Sequence, residues 1–208
     1  MTSILKADTI QDAAGNNIIN ENANTITIGA SGDTITIPSG ATIANSGTAT
    51  GFGGITMADQ WRYTSTSTLS STATVISSNL ERNDSSSAGF IGSAMTESSG
   101  IFTFPSTGIY LVQGFGNFAA DSDNRYVILN LQVTTNNSSY SNFARGRSHI
   151  EYSYGTTYTQ GIASGYVDVT DTSNVKVRFT AESEGTATLF GNTDSNNTWF
   201  QFIRLGDT

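Results

Sequence analysis

The chain has 208 residues, a formal net charge of −8 and only 12% charged residues. Nucleic acids and anionic membranes favour a basic patch, which such a chain lacks, so we expect neither as a partner. The absence of cysteine excludes disulfides and thiolate metal sites. No run of about 20 apolar residues predicts a membrane span, and the N-terminus lacks the apolar core of a signal peptide.

The N-terminal part is built from a short repeat. Thr25–Gly29 (TITIG) is followed by Thr34–Pro38 (TITIP) and by a degenerate third copy, Ala41–Ala44. The alternation predicts three short β-strands, each with an isoleucine face and a threonine face. So little apolar area cannot offset a backbone ordering cost of about 1–2 kcal/mol per residue in a single chain. Repeats of this size bury their apolar face by stacking on neighbours or on other chains.

We therefore predict that residues 1–54 comprise an N-terminal segment that attaches to other proteins and an intertwined β-stalk of three chains. The alternative is a disordered linker rich in Gly, Ser and Asn, against which the regular Thr-Ile register argues. The first aromatic residue is Phe52, so core-forming composition begins there and residues 55–208 predict a head domain. The isoleucines expected along the stalk axis are Ile26, Ile28, Ile35 and Ile37.

Alternating segments predict that the head is all-β. Turn clusters such as Asp121–Asn124 and Asp171–Asn174 separate them, and no segment shows helical periodicity. About eight strands with such turns indicate a sandwich or a jelly roll. The predicted strands are residues 60–64, 101–104, 109–118, 126–134, 143–152, 158–169, 175–181 and 198–205.

The C-terminal strand is apolar on both faces. Trp199 and Ile203 share one face, whereas Phe200 and Phe202 share the other. Either the strand is central to a monomeric sandwich, or a second subunit covers one of its faces. Large exposed apolar patches usually mark interfaces, which favours the subunit contact.

Three segments carry a resemblance to a known family. Gly100–Val112 (GIFTFPSTGIYLV) resembles the signature of the complement globular-head and tumour necrosis factor-like jelly rolls: an aromatic strand, a proline turn, Gly-x-Tyr and a long apolar strand. Trp199–Leu205 is similar to the closing strand of that family, and Asp171–Val177 to its penultimate acidic turn and strand. The resemblance implies a jelly roll that assembles as a tight homotrimer through aromatic strand faces. Those faces would include Tyr110, Trp199, Phe200 and Phe202.

The N-terminus carries a second resemblance. Ser3–Gly15 is similar to the opening of short fibre-like virion proteins of marine bacteriophages, in which a comparable segment precedes a β-stalk. This resemblance implies a virion protein that is assembled in the host cytoplasm, released by lysis and exposed on the particle surface. Its N-terminus would contact other structural proteins of the virion.

Catalytic and metal-binding patterns are sparse. His149 is the only histidine, so a triad or an imidazole metal site would have to be built around it. Glu182 and Glu184 share one strand face and could form a carboxylate pair, but neighbouring glutamates on a strand are usually a solvated rim. Asp121–Asn124 offers oxygen ligands without the glycine and distal glutamate of an EF-hand. We expect no enzyme activity, no cofactor and no bound metal.

The segment from residue 140 to residue 158 combines rigid aromatic rings with arginines, amides and hydroxyls, a composition typical of recognition surfaces. Such a surface could stack on sugar rings of a bacterial envelope. The alternative is that these aromatics fill the core or a trimer interface. The candidate ligand-binding residues are Tyr140, Arg145, Arg147, Tyr152 and Tyr154.

Three functions fit the sequence. The first is a trimeric bacteriophage fibre or spike whose head binds the host surface. The second is a capsid decoration or head fibre protein of the same build. The third is a bacterial secreted adhesin with a tumour necrosis factor-like head.

Overall fold

The computed structural model describes residues 9–15, 17–23, 25–29, 31–44 and 54–208. The chain divides into two units, Met1–Phe52 and Gly53–Thr208. Within the described ranges every regular element is a β-strand, and no helix in them could cross a membrane. Residues 3–8 of the segment that resembles phage fibre proteins lie outside the described residues.

The N-terminal unit contains a three-stranded antiparallel sheet in the order β1-β2-β3. The strands are β1 (Thr9–Gln11), β2 (Asn17–Asn22) and β3 (Thr25–Ile28). The first copy of the repeat is thus a strand, paired with β2. The predicted strands in Thr34–Pro38 and Ala41–Ala44 are absent from the described chain, which corrects the sequence interpretation. A strand needs a neighbouring backbone to bond with, and the described part of a single chain supplies these copies with none.

The isoleucines of the repeat are uncovered in the single chain. Ile26, Ile28, Ile35 and Ile37 are all exposed, by 46% to 68% of their surface. Their exposure agrees with the expectation that one chain cannot bury them. The three-chain stalk remains a prediction.

The head is a sandwich of two antiparallel sheets. The first, called the β10 sheet, has the order β5-β15-β10-β16-β4-β7, and β13 pairs along the free edge of β10. The second, called the β11 sheet, has the order β12-β11-β14-β9-β8, with β6 paired to β14. The strands of the β10 sheet are β4 (Ala58–Tyr63), β5 (Thr66–Leu69), β7 (Leu80–Arg82), β10 (Gly108–Ala120), β13 (Thr157–Val169), β15 (Ala187–Phe190) and β16 (Trp199–Gly206). Those of the β11 sheet are β6 (Thr74–Val75), β8 (Thr96–Ser98), β9 (Ile101–Thr103), β11 (Asn124–Thr134), β12 (Ser141–Ile150) and β14 (Lys176–Ser183).

All eight strands predicted for the head are present, with ends that differ by a few residues. They correspond to β4, β9, β10, β11, β12, β13, β14 and β16. The prediction missed β5, β6, β7, β8 and β15. These have two to four residues each, too few for a period of two to stand out from serine- and threonine-rich surroundings.

Aromatic rings fill the space between the sheets. Phe102 on β9 lies with its ring centroid 4.9 Å from that of Phe202 and 5.6 Å from that of Trp61. Phe179 on β14 stacks on Phe200 at 4.3 Å. Two phenylalanines from one face of β16 thus contact aromatic side chains of the opposite sheet.

This packing corrects part of the predicted trimer interface. Tyr110, Phe200 and Phe202 have no exposed surface within the single chain, and the Tyr110 hydroxyl donates to the Ser106 carbonyl at 3.0 Å. They are core residues because their faces of β10 and β16 are the ones that meet the β11 sheet. Another subunit can reach only the opposite face.

Two edge strands from different sheets approach each other closely at glycines. A Cβ at Gly146 on β12 would lie 2.4 Å from the backbone nitrogen and carbonyl carbon of Ile162 on β13. A Cβ at Gly161 would lie 2.8 Å from the Gly146 carbonyl oxygen. Only glycine leaves room for this contact, which brings the edges of the two sheets together.

A buried arginine joins β4 to β7 and to the segment that follows β7. The Arg62 side chain is only 2% exposed, and its Nη2 donates to Glu81 Oε1 at 2.9 Å and to Asp84. Its Nη1 donates to Asn83 Oδ1 and to Ser85 Oγ. The hydrogen bond from Arg62 is the main reason that the pKa of Glu81 lies below its usual value of 4.5.

The Arg62–Glu81 pair predicts a pH dependence of stability. Because the pKa of Glu81 is lower in the folded chain than in the unfolded chain, its stabilising effect is complete above 4.5 and is lost as the pH falls below that value. We expect Glu81→Gln to unfold at a lower temperature than the wild type at neutral pH. The difference should shrink as the pH falls to about 3. Thermal unfolding of both proteins across this range tests it, and a constant difference would contradict the assignment.

Candidate self-association face and ligand surface

The outward face of the β10 sheet carries apolar residues in register. Phe115 on β10 lies opposite Trp199 on β16 and opposite Ile162 on β13. The Phe115 and Trp199 rings stack with centroids 4.0 Å apart and planes 8° from parallel. Ile162 is 50% exposed. These three side chains form the first apolar row.

A second apolar row lies four residues further along each strand, at a spacing of about 13.6 Å. Leu111 on β10 is opposite Ile203 on β16 and Tyr166 on β13. Tyr166 is 67% exposed, and Leu111 and Ile203 are half-buried. Each row has one residue on each of β10, β13 and β16, so the apolar surface extends across three strands.

A polar row separates the two apolar rows. Gln113 on β10 is opposite Gln201 on β16 and Ser164 on β13, and Gln201 is opposite Gln60 on β4. Gln201 Nε2 donates to Gln113 Oε1, and Gln113 Nε2 donates to Ser164 Oγ at 3.0 Å. We call the three rows together the three-row face. It displays no exposed charged side chain, like the centre of a protein–protein interface.

Only part of this face was predicted from the sequence. Trp199, predicted at the trimer interface, does lie on it, whereas Phe115, Ile162 and Tyr166 were missed. The available signal was the pattern of β10, in which Leu111 and Phe115 are apolar on the face opposite Tyr110 and Phe118. A strand that is apolar on both faces is expected to be covered on both.

The outward face of the β11 sheet carries a hydrogen-bonded polar network. Arg145 on β12 donates from Nε to Asn130 Oδ1 at 2.8 Å and from Nη2 to Glu182 Oε1 at 3.1 Å. Asn130 Nδ2 donates to Thr180 Oγ1 at 3.1 Å. The side chains of β11, β12 and β14 thus hold one another in place on this face.

Aromatic rings border the network. The guanidinium carbon of Arg178 lies 4.1 Å from the centroid of the Tyr140 ring, and Arg178 Nε donates to Gln132 Oε1 at 2.7 Å. Burial raises the pKa of the Tyr140 phenol. Arg147 is exposed and lies 5.9 Å from the centroid of the Tyr126 ring. Both are cation–π contacts, which hold a ring and an arginine side by side.

The structure divides the five candidate ligand residues between two places. Tyr140, Arg145 and Arg147 lie at or on β12 beside the polar network. Tyr152 and Tyr154 lie in the loop between β12 and β13, where the Tyr152 backbone nitrogen donates to Asp123 Oδ1 at 2.7 Å and Tyr154 is 94% exposed. Tyr140 precedes β12 and Tyr152 follows it, so the two lie at opposite ends of a ten-residue strand. The five residues therefore do not form a single pocket.

The two glutamates considered as a carboxylate pair bind different arginines. Glu182 accepts from Arg145, whereas Glu184 accepts from the side chain and backbone of Arg125. The pKa of Glu184 lies below its usual value, mainly because of the hydrogen bond from the Arg125 side chain. Both carboxylates act as ion-pair partners. No group of three potential metal ligands occurs among the described residues.

Comparison with known proteins gives matches at the level of fold. No protein-family model and no curated protein matches the sequence. Among solved structures, Eiger TNF from S. frugiperda matches with a TM-score of 0.56 and 11% identity over 73% of this chain and 93% of that chain. Murine APRIL matches with a TM-score of 0.49 and 12% identity, over 72% of this chain and 98% of that one. The PRD1 vertex protein P5 matches with a TM-score of 0.44 and 15% identity, over 74% and 100%.

The likeness to Eiger shows the fold and nothing finer, because the identity is only 11%. It agrees with the two-sheet topology and with the motif in Gly100–Val112. The head of this protein has a tumour necrosis factor-like jelly-roll fold.

Proposed function

We propose that this protein is a homotrimeric structural protein of a bacteriophage virion, a fibre or spike whose jelly-roll head binds the host surface. The observation that carries the proposal is the three-row face, which exposes Ile162 and Tyr166 and leaves Trp199 half-buried in a single chain. The N-terminal repeat adds to it, because its isoleucines are exposed as well. Both units thus present apolar side chains that further copies would cover.

Copies of the same chain suit the three-row face better than an unrelated partner. Its apolar, polar and apolar rows continue to the edge strand β13, where Ile162, Ser164 and Tyr166 repeat the alternation. The part of the face on β13 of one copy therefore presents the same spacing that the part on β10 and β16 of the next copy offers. Such a contact between two different patches forms a closed ring when the rotation between copies closes, as in a trimer.

The surface of the β11 sheet is the proposed contact with host carbohydrate. Amide, carboxylate and guanidinium groups around Asn130 offer donors and acceptors for sugar hydroxyls, and the rings of Tyr126 and Tyr140 offer stacking surfaces. The proposed role requires no enzyme activity and no cofactor. In the virion, the N-terminus would bind other structural proteins.

Loss of Arg147 is expected to weaken host binding. Arg147 is exposed, pairs with the Tyr126 ring and has no acidic partner among the described residues. Purified full-length protein, added to host cells before the phage, should block adsorption. Arg147→Ala should require an approximately tenfold higher protein concentration to block adsorption to the same extent. A tenfold loss of affinity corresponds to about 1.4 kcal/mol of binding free energy, as expected for a contact residue.

Arg125→Ala is the matched control, since Arg125 is 84% exposed on the same sheet and already pairs with Glu184. It should block as well as the wild type. Equal blocking by the wild type and Arg147→Ala would place host contact elsewhere.

A capsid decoration protein or a secreted adhesin could have the same build. Mass spectrometry of purified virions separates these functions by copy number. Tens of chains per particle favour a fibre, and hundreds favour a decoration protein. Absence from the particle would contradict both and favour the adhesin.

A further inference from the structure

We propose that the polar row of the three-row face, Gln60, Gln113, Gln201 and Ser164, fixes the register and the number of the associating copies. The proposal rests on the proposed self-association. In it, the apolar rows supply the attraction, and the glutamines exclude other arrangements of the same copies.

The row contains hydrogen-bonding groups that the chain does not satisfy by itself. Gln60 Oε1 accepts from Asn83 Nδ2 at 2.9 Å and from Asn196 Nδ2 at 2.6 Å, which fixes the amide and leaves Nε2 as its donor. Gln201 Nε2 donates to Gln113 Oε1. No described residue donates to Gln201 Oε1 or accepts from Gln60 Nε2. A free donor, Gln60 Nε2, and a free acceptor, Gln201 Oε1, therefore lie opposite each other on the neighbouring strands β4 and β16.

These groups become costly when a partner covers them without bonding to them. A buried polar group left without a hydrogen bond costs about 1–3 kcal/mol. A partner with its own polar groups at this level, such as a further copy, avoids that cost. A copy displaced by one row, about 6.8 Å along the strands, would place Leu111, Phe115 or their neighbours against the amides. The displaced arrangement therefore carries this cost, and the aligned arrangement does not.

The apolar rows alone do not make this distinction. Trp199 and Phe115 in one row and Ile203 and Leu111 in the other are all large and hydrophobic, so with an apolar row in place of the glutamines a copy displaced by one row would still bury apolar surface on apolar surface. Single polar residues within apolar interfaces specify register and copy number in coiled coils in the same way, at some expense of stability. The glutamine row has the position that such a role requires, between two apolar rows.

The test is the double variant Gln113→Met/Gln201→Met, because methionine has nearly the shape of glutamine without its hydrogen bonds. We expect the wild type to give one oligomeric mass in native mass spectrometry. The double variant should give two or more masses, and it should unfold at a temperature equal to or higher than that of the wild type. Gln132→Met, the same change on the β11 sheet, is the control and should give the wild-type mass alone.

The outcomes separate this proposal from the self-association on which it rests. A monomeric wild type would contradict both the self-association and the register role. A wild-type oligomer with a double variant of the same single mass would overturn the register role alone. A double variant that dissociates to monomers would overturn it too, since the glutamines would then supply attraction. If the double variant does not fold, the oligomeric mass of the single variant Gln201→Met is measured instead, and the same outcomes apply.

Discussion

Phe102→Ala is expected to lower the free energy of unfolding of the head by about 3–5 kcal/mol. Phe102 is 1% exposed and contacts rings from both sheets, among them Trp61, Phe179 and Phe202. Removing its ring leaves a cavity between the sheets that neighbouring rings, held by their own strands, fill only in part. Denaturant unfolding followed by tryptophan fluorescence measures the loss.

Tyr154→Ala is the control, because Tyr154 is an aromatic residue of the same domain that is 94% exposed. Its replacement should change the free energy of unfolding by no more than about 0.5 kcal/mol. All proteins are compared at one chain concentration, since association shifts apparent stability. Similar losses for the two variants would contradict the position of Phe102 in the core.

Gly146→Ala is expected to destabilise the head by about 3 kcal/mol, the upper end for overpacking. The added methyl group would lie 2.4–2.5 Å from backbone atoms of Ile162. A backbone held in the β10–β13 ladder cannot rotate away as a side chain can. The edges of β12 and β13 would have to separate, which weakens the contact that brings the two sheets together at this side.

Gly206→Ala is the matched control, because Gly206 also lies in a strand and a Cβ there has no neighbour within 4 Å. Thermal unfolding of the two variants beside the wild type makes the comparison. An unchanged unfolding temperature for Gly146→Ala would show that the strands are not in backbone contact.

The sequence predicts where the strands of the head lie. It does not predict which face of a strand packs against the second sheet and which face is left for another subunit. Alternation identifies Phe200 and Phe202 as one face of β16 and Trp199 and Ile203 as the other. Both faces are apolar, so alternation cannot tell which one meets the second sheet. That choice depends on the pairing of β16 with β10 and β4, which brings together residues more than 80 positions apart.

The candidate sites are harder to read from the sequence for the same reason. Tyr140 and Tyr152 are close in sequence but lie at opposite ends of β12. Gln60, Gln113 and Gln201 are far apart in sequence, and each looks like an ordinary polar residue of a half-exposed strand. Only the register of three strands places them in one row.

The repeat shows a related limit. The alternation in Thr34–Pro38 predicts a strand, yet a strand also requires a partner. The described part of one chain gives β3 a partner and gives Thr34–Pro38 none. The missing partner is what the three-chain stalk would supply.

The most direct measurement is the mass of the full-length protein in solution, by light scattering coupled to size-exclusion chromatography. Self-association through the three-row face and the N-terminal repeat predicts a single species of three times 22.0 kDa. The double variant Phe115→Glu/Ile162→Glu, with charges in an apolar row, should shift that species toward smaller masses. A wild-type protein that remains a clean monomer of 22.0 kDa would contradict the proposed assembly.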